Sequence, residues 1–268
     1  MVDAVVCGAA GRMGTRLVSL IEADPEMRLA GAVEAPGHAT IGRDAGEVAG
    51  VGRTGVLTPY DLAGCLEAAQ VVIDFSVPHA SLSHLRTAAG RGRAVVLGTT
   101  GFTEQQRQEI AKLAEKMPCL VAPNMSLGIN VMYRLLREAA TYLGDEYDVE
   151  VVEAHHHFKK DAPSGTALRL GEVLAGALGR SLADVAVYGR HGIVGERPRK
   201  EIALHAIRAG DIVGEHTVIF AGVGERLEIV HRAQSRDNFA RGALRAAKWI
   251  VNQPSGLYDM QDMLGLRR

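Results

Sequence analysis

Five short apolar runs in the first half of the chain, DAVVC (3–7), LAGAV (29–33), VVIDF (71–75), AVVLG (94–98) and CLVA (119–122), alternate with helical periodicity at 12–23, 78–90 and 103–116. This alternation narrows the fold more than any other feature. A strand followed by a helix and then another strand returns parallel to the first, so the expected architecture is a parallel sheet wrapped by helices. Pro78 and Thr103 stand where helix starts are expected, the proline with its fixed φ and the threonine as a capping hydroxyl.

The rhythm changes near residue 123. A long helix is expected over 126–143, a strand over 147–155 in which Glu150 and Glu153 interrupt a valine-rich run, and a helix over 164–178. KEIALHAIR (200–208), IVGEHTVIFAG (212–222) and ERLEIVHRA (225–233) follow, joined by short glycine-containing turns. They predict an antiparallel meander. A last amphipathic helix, 237–251, fits either domain on this pattern alone. The fold class is therefore α/β: a Rossmann-type doubly wound parallel sheet plus an α+β domain with an open mixed or antiparallel sheet.

A length of 268 residues suits one large or two modest domains. The 30 Lys and Arg against 31 Asp and Glu give no broad pull toward nucleic acid or a membrane surface, and neither partner is expected. The N-terminal MVDAVVCGAAGRMG reads as a first strand and not a signal peptide, and no run is apolar and long enough to span a bilayer. Cys7, Cys65 and Cys119 are odd in number and widely spaced, which fits unpaired thiols in the cytoplasm.

The first strand runs straight into glycines. VVCGAAGRMG sets Gly8, Gly11 and Gly14 at a strand-to-helix junction in the spacing G-x-x-G-x-x-G. In a dinucleotide-binding loop the first glycine makes the tight turn, the middle one admits a pyrophosphate and the last lets helix and strand pack closely. The helix start offers N–H groups to the phosphates, and Arg12 adds charge. The spacing alone also fits a plain tight turn; its place between strand and helix favours the dinucleotide. Glu34 ends the second strand, 20 residues past Gly14 (34 − 14), where an acid takes ribose hydroxyls. A carboxylate there repels a 2′-phosphate and Ala35 offers no positive partner, so NADH is favoured, while Arg12, His38 and Arg43 keep NADPH open. LGTTGF (97–102) and APNMS (122–126) end further strands, where open parallel sheets bind ligands, although their residues also suit ordinary turns.

The densest chemistry lies in EAHHHFKKDAPSGTA (153–167). Along a strand, His155 and His157 share one face and His156 the other, which weakens a three-histidine metal site. Lys159 and Lys160 repel a cation, so no metal is expected even though Glu153 and Asp161 are available as ligands. An anion fits better. Ser164 can cap a helix whose first amides, at Gly165 and Thr166, favour a carboxylate among imidazole and ammonium groups. A solvated basic loop before a capped helix is the alternative on these residues alone.

Together, VCGAAGRMG, GTTGF, APNMSLGINV and above all EAHHHFKKDAPSGTAL resemble the dihydrodipicolinate reductase family, whose members act in the diaminopimelate route to lysine. The resemblance runs the whole chain, ending on RAQSRDNFARGALRAAKWI (232–250). It implies reduction of a cyclic imine-type dicarboxylate, with loss of water, by NADH or NADPH. It implies dinucleotide contacts from Gly8, Ala9, Ala10, Gly11, Arg12, Met13, Glu34, Gly98, Thr99, Thr100, Ala122, Pro123, Asn124 and Met125. His155 is then the proton donor and acceptor and Lys159 a proton donor, with His156, Gly165 and Thr166 holding substrate carboxylate. An ammonium beside two carboxylates keeps its proton and can act as an acid, and an imidazole can relay one near neutrality. The resemblance further implies a discontinuous nucleotide domain, 1–126 with 236–268, around a substrate-binding and oligomerisation domain, 127–235, whose meander forms the core of a homotetramer. Ala35 departs from relatives that carry arginine after the ribose acid, which again favours NADH; His157 and Phe158 take no role. Another two-domain dehydrogenase acting on an amino acid, or a nucleotide sensor without turnover, are the rival readings.

Overall fold

The runs VVID (Val71–Asp74) and AVVL (Ala94–Leu97) are buried at every position, as strands are when helices cover both faces of a parallel sheet. They belong to the first of two units into which the chain divides, Met1–Leu127 with the segment from Asp237 onward; the second is Gly128–Arg236. The structure is a computed structural model and describes residues 1–267. The first segment carries β1 (Val2–Cys7), α1 (Arg12–Glu22), β2 (Met27–Val33), α2 (Ala45–Ala49), β3 (Val71–Asp74), α3 (Pro78–Ala89), β4 (Ala94–Leu97), α4 (Glu104–Ala114) and β5 (Pro118–Val121). Then follow α5 (Leu127–Leu143), β6 (Asp148–His155), α6 (Gly165–Ala177), α7 (Leu182–Val185), β7 (Ala186–Tyr188), β8 (Ile202–Arg208), β9 (Gly214–Ala221) and β10 (Arg226–Ala233). The chain ends with α8 (Asp237–Ile250), β11 (Gly256–Tyr258) and α9 (Met260–Met263).

The first unit has six parallel strands in the order β11-β5-β4-β3-β1-β2. The order reverses between β1 and β3, the place where open α/β sheets take ligands beyond their strand ends. Pro78 opens α3, and Thr103 caps α4 in a reciprocal box with Gln106. α8 lies in this unit's core: Ala240, Ala243, Ala246, Ala247 and Ile250 are fully buried there. Its small residues permit close approach, and Lys248 and Asp237 pin it through ion pairs to Asp24 and Arg16.

In the second unit the order is β10-β9-β6-β8-β7. α5 and α6 cover one face over a core that includes Leu136, Val151, Leu170, Val218 and Phe220. On the opposite side Glu150 accepts from Arg190, Arg197 and His205. The expected meander is corrected here. β8 and β9 do not pair; β6 lies between them, parallel to β8 and antiparallel to β9, and only β9 and β10 form a hairpin. The connection 209–213 arches over the end of β6, where Ala209 N donates to His155 O at 2.9 Å and His157 N donates to Gly210 O at 3.2 Å. Among the described residues no helix is long and apolar enough to cross a membrane.

Candidate active site

β1 delivers the chain to Gly8 at φ +71°, a left-handed turn in which a side chain is strained. α1 opens with Gly11 as N-cap and no side chain capping its amides, which leaves the helix start available to an anion. A Cβ on Gly14 would stand 2.0 Å from Gly8 O, so only glycine lets the helix come this close to the loop. Glu34, directly after β2, accepts from Ala10 N at 2.8 Å and Ala35 N at 3.0 Å, which fixes its carboxylate beside the glycines. Gly8, Ala10, Gly11 and Glu34 border a cavity of about 670 Å³ that also meets Phe75, Ser76 and His84. Ala9 is buried beneath the loop, Met13 is half-buried and Arg12 is exposed at the first turn of α1. Uncapped amides, glycines at the loop and an acid fixed at the end of the second strand fit a dinucleotide.

Asp74, the last residue of β3, escaped the sequence reading and organises this end of the sheet. It is wholly buried and accepts from Ser76 N (2.8 Å), Ser76 Oγ (2.6 Å) and Ser81 Oγ (3.1 Å), with His84 Nδ1 at 2.8 Å. Ser81 Oγ lies 2.8 Å from Thr99 Oγ1, so the same network secures the loop Gly98–Thr100. A Cβ on Gly98 would meet the Phe75 ring at 2.2 Å. Thr99 is buried and Thr100 exposed. Cys7 lies with Asp74 and His84 in a thiol–carboxylate–imidazole group whose ligand atoms fall within 4.8 Å of one another; both Asp74 oxygens already have hydrogen-bonding partners there. The available signal was a carboxylate ending an otherwise apolar run.

The loop after β5 is held by Ala122 N donating to Leu97 O at 3.0 Å and by Asn124 Oδ1 accepting from Ser126 N at 2.9 Å. Pro123 is exposed. Met125 is 1% exposed beneath Gly242 of α8, so it can offer a ligand only its backbone. This loop and Gly98–Thr100 follow adjacent strands, β5 and β4.

In the second unit, β6 ends at His155. The chain then turns, with Lys159 N donating to His156 O at 3.1 Å, so His157 does not share a strand face with His155 as the alternation predicted. Beneath the turn lies Glu153, 1% exposed. Its carboxylate accepts from His155 Nδ1 (2.6 Å), from both terminal nitrogens of Arg208 (2.8 Å each) and from Ser164 N (3.0 Å). Burial alone would raise this carboxyl, but the donors from His155, Arg208 and Ser164 outweigh it and hold it at about 2. Ser164 Oγ accepts from Ala167 N at 3.1 Å and caps α6, with Gly165 exposed and Thr166 half-buried in the first turn. His216, also missed, sets Nε2 3.2 Å from Ser164 Oγ and its ring edge-on to His155 at 5.3 Å. Burial, then the neighbouring His155, push His216 down to about 3, so it stays neutral.

Lys159 Nζ donates to Asp161 Oδ1 at 2.9 Å. His156 is lowered by burial and then by its neighbours Arg236, His155 and Lys159, so the cationic groups here share one field that favours an anion. The second unit thus ties His155 and the α6 start to the Glu153 carboxylate, with Lys159 on Asp161 and His156 close enough to feel Lys159 and His155. Phe158 is exposed and its ring lies against His157, with centroids 3.7 Å apart and the planes tilted by 46°.

Residues 2–125 match the family model described as "Dihydrodipicolinate reductase, N-terminus" and residues 128–264 match its C-terminal counterpart. The chain belongs to the dihydrodipicolinate reductase family. A 4-hydroxy-tetrahydrodipicolinate reductase of Syntrophus aciditrophicus (strain SB) is 54% identical over 267 residues, covering 100% of both chains. One from Anaeromyxobacter sp. (strain Fw109-5) is 56% identical over 100% of this chain and 99% of its own. The solved dipicolinate-bound dihydrodipicolinate reductase from Paenisporosarcina sp. TG-14 matches with a TM-score of 0.78 over 98% of each chain at 24% identity, a likeness of fold. As a dihydrodipicolinate reductase by family, the chain is an NAD(P)H-dependent oxidoreductase whose N-terminal part is a nucleotide-binding fold. Membership sets aside the amino-acid dehydrogenase and the sensor.

Proposed function

We propose that the chain reduces 4-hydroxy-tetrahydrodipicolinate, with loss of water, to tetrahydrodipicolinate in the diaminopimelate route of lysine biosynthesis. The observation that carries this reading is the stretch 153–167, which folds into a cationic turn leading directly onto a capped helix start. Amides and cations there suit the carboxylates of a small diacid, the class of compound that the Paenisporosarcina reductase holds. Relatives bearing the reductase name are 54% and 56% identical along the chain.

Reduced nicotinamide, when bound, supplies a hydride. The glycine loop from Gly8 to Met13 holds the phosphates, Glu34 the ribose, and Gly98–Thr100 with Ala122–Met125 the remainder of the dinucleotide, Met125 through its backbone. His156, Gly165 and Thr166 hold substrate carboxylate. Hydride addition to the carbon conjugated with the ring C=N leaves an enamine that must take a proton. Lys159 donates it, its Nζ exchanging Asp161 for a substrate carboxylate on binding. His155 exchanges protons at Nε2, because Nδ1 is committed to Glu153. NADH is the favoured cofactor, since the Glu34 carboxylate is fixed by two amides where a 2′-phosphate would lie and Ala35 brings no charge. Exposed Ile207, Leu227 and Val230 on the second unit's sheet support assembly as a homotetramer, and three unpaired thiols support a cytoplasmic enzyme.

The test supplies the substrate by enzymatic condensation of the amino-acid semialdehyde with pyruvate and follows NADH absorbance. Oxidation dependent on both substrate and enzyme is expected; a rate no higher than background overturns the reading.

A further inference from the structure

Glu153 has a coordination that fold stability alone does not require. Burying an ion pair inside a domain is often no better than burying apolar residues of the same shape. Yet this carboxylate, 1% exposed, gathers donors from three segments: His155 at the end of β6, Arg208 at the end of β8 and the Ser164 amide before α6. Arg208 extends the tie, donating also to Asp161 O at 2.7 Å. An ionised carboxylate only accepts, so the imidazole nitrogen 2.6 Å from it must carry hydrogen. That leaves Nε2 as the nitrogen open to exchange. A Cβ on Gly214 would stand 3.1 Å from Nε2, so the absence of a side chain at the start of β9 keeps that edge of the ring clear.

We propose that Glu153 is the positioning residue of the proton-transfer site: it fixes His155 with hydrogen on Nδ1 and, through the Ser164 amide held by the same carboxylate, sets Nε2 in register with the helix start that receives the substrate's carboxylate. The proposal rests on the reading of His155 as the proton-exchanging group and of the α6 start as the carboxylate site. The carboxylate touches neither substrate nor cofactor and acts through the imidazole and the cap. His216, neutral and edge-on to His155, supports the ring without competing for the charge.

The experiment is a double-variant cycle on the full-length enzyme with Glu153→Gln, His155→Gln and both together, read as kcat and KM for the dicarboxylate. It is paired with 15N–1H spectra of the imidazoles, His155 being assigned by its loss in His155→Gln. Expected are a kcat at least tenfold lower in Glu153→Gln with KM within about threefold, a His155 signal no longer purely Nδ1–H, and a double variant no slower than His155→Gln alone. A kcat within twofold of wild type, an unchanged His155 signal, or losses that multiply in the double variant overturns the proposal. Full activity in His155→Gln instead removes the reading of His155 itself, and the positioning role with it. If thermal melting shows that Glu153→Gln does not fold, Glu153→Asp enters the same cycle, where multiplied losses again overturn the proposal and non-additive losses support it.

Discussion

Replacing Gly14 by alanine sets two effects against each other. Alanine is favoured over glycine in a helix by up to about 1 kcal/mol, which by itself makes the variant more stable. Against this, the new Cβ would lie 2.0 Å from Gly8 O, 2.6 Å from Ala9 Cα and 2.7 Å from Ala9 C. All three are backbone atoms, so no side-chain rotation relieves the contact. An ordinary carbon–oxygen approach is roughly 3.3 Å, so α1 and the glycine loop must part by about 1 Å. Overpacking costs roughly 1–3 kcal/mol, and more where backbone must move, leaving a net loss of about 1–2 kcal/mol. For a unit of this size that lowers Tm by about 2–8 °C. The displacement falls in the phosphate cradle, so the Kd for NADH should rise at least about tenfold, a loss of about 1.4 kcal/mol. Gly11→Ala is the internal comparison, because its Cβ would lie 3.2 Å from Gly8 O and needs a shift of only tenths of an ångström. Thermal melting and calorimetric NADH titration measure both variants. A Gly14→Ala protein that melts at or above wild type and binds NADH equally tightly refutes the reasoning.

Lys159→Ala should lose roughly 10²–10⁴-fold in kcat, the usual weight of a general acid, with NADH affinity within twofold of wild type; loss of NADH binding would show the residue to be misplaced. In steady-state assays kcat/KM should be higher for NADH than for NADPH, and a tenfold advantage for NADPH would remove the role given to Glu34 and Ala35. His216, held at about 3 when folded against 6.5 in the free side chain, resists protonation in the native state. Its stabilising contribution is complete above pH 6.5 and falls away as the pH drops toward 3, with a slope of up to about 1.4 kcal/mol per pH unit. His216→Gln should therefore flatten the fall of the urea midpoint between pH 6.5 and 5, a window above the carboxylates; parallel curves for variant and wild type would count against it.

The glycine loop was legible because everything it needs is local: a strand, three glycines and the start of a helix within the first fourteen residues, with Glu34 directly after the next strand. The starts of α3, α4 and α6 were legible for the same reason, each being set by one residue, Pro78, Thr103 or Ser164. The pairing of β8 was not. A five-residue link between two strands reads as a hairpin, and only β6, some fifty residues upstream, shows that the slot between them is filled. The site follows the same rule. His155, Lys159 and Ser164 lie in one stretch and were visible, and Glu153 was visible as an interruption among valines. Arg208 and His216 reach that carboxylate's surroundings on strands whose register no local pattern encodes.

The return of α8 to the first unit has a consequence for synthesis. The β-sheet made by residues 2–121 leaves the ribosome before the helix whose alanines fill its core, and 110 further residues (237 − 127) must be translated first. At ordinary elongation rates that is roughly 5–20 s during which the nascent first unit lacks the α8 alanines that complete one of its two cores, although α1, α3 and α4 are already in place. The second unit, encoded without interruption from 128 to 236, is complete before α8 appears. The unit that begins the chain is therefore the last whose core can be completed.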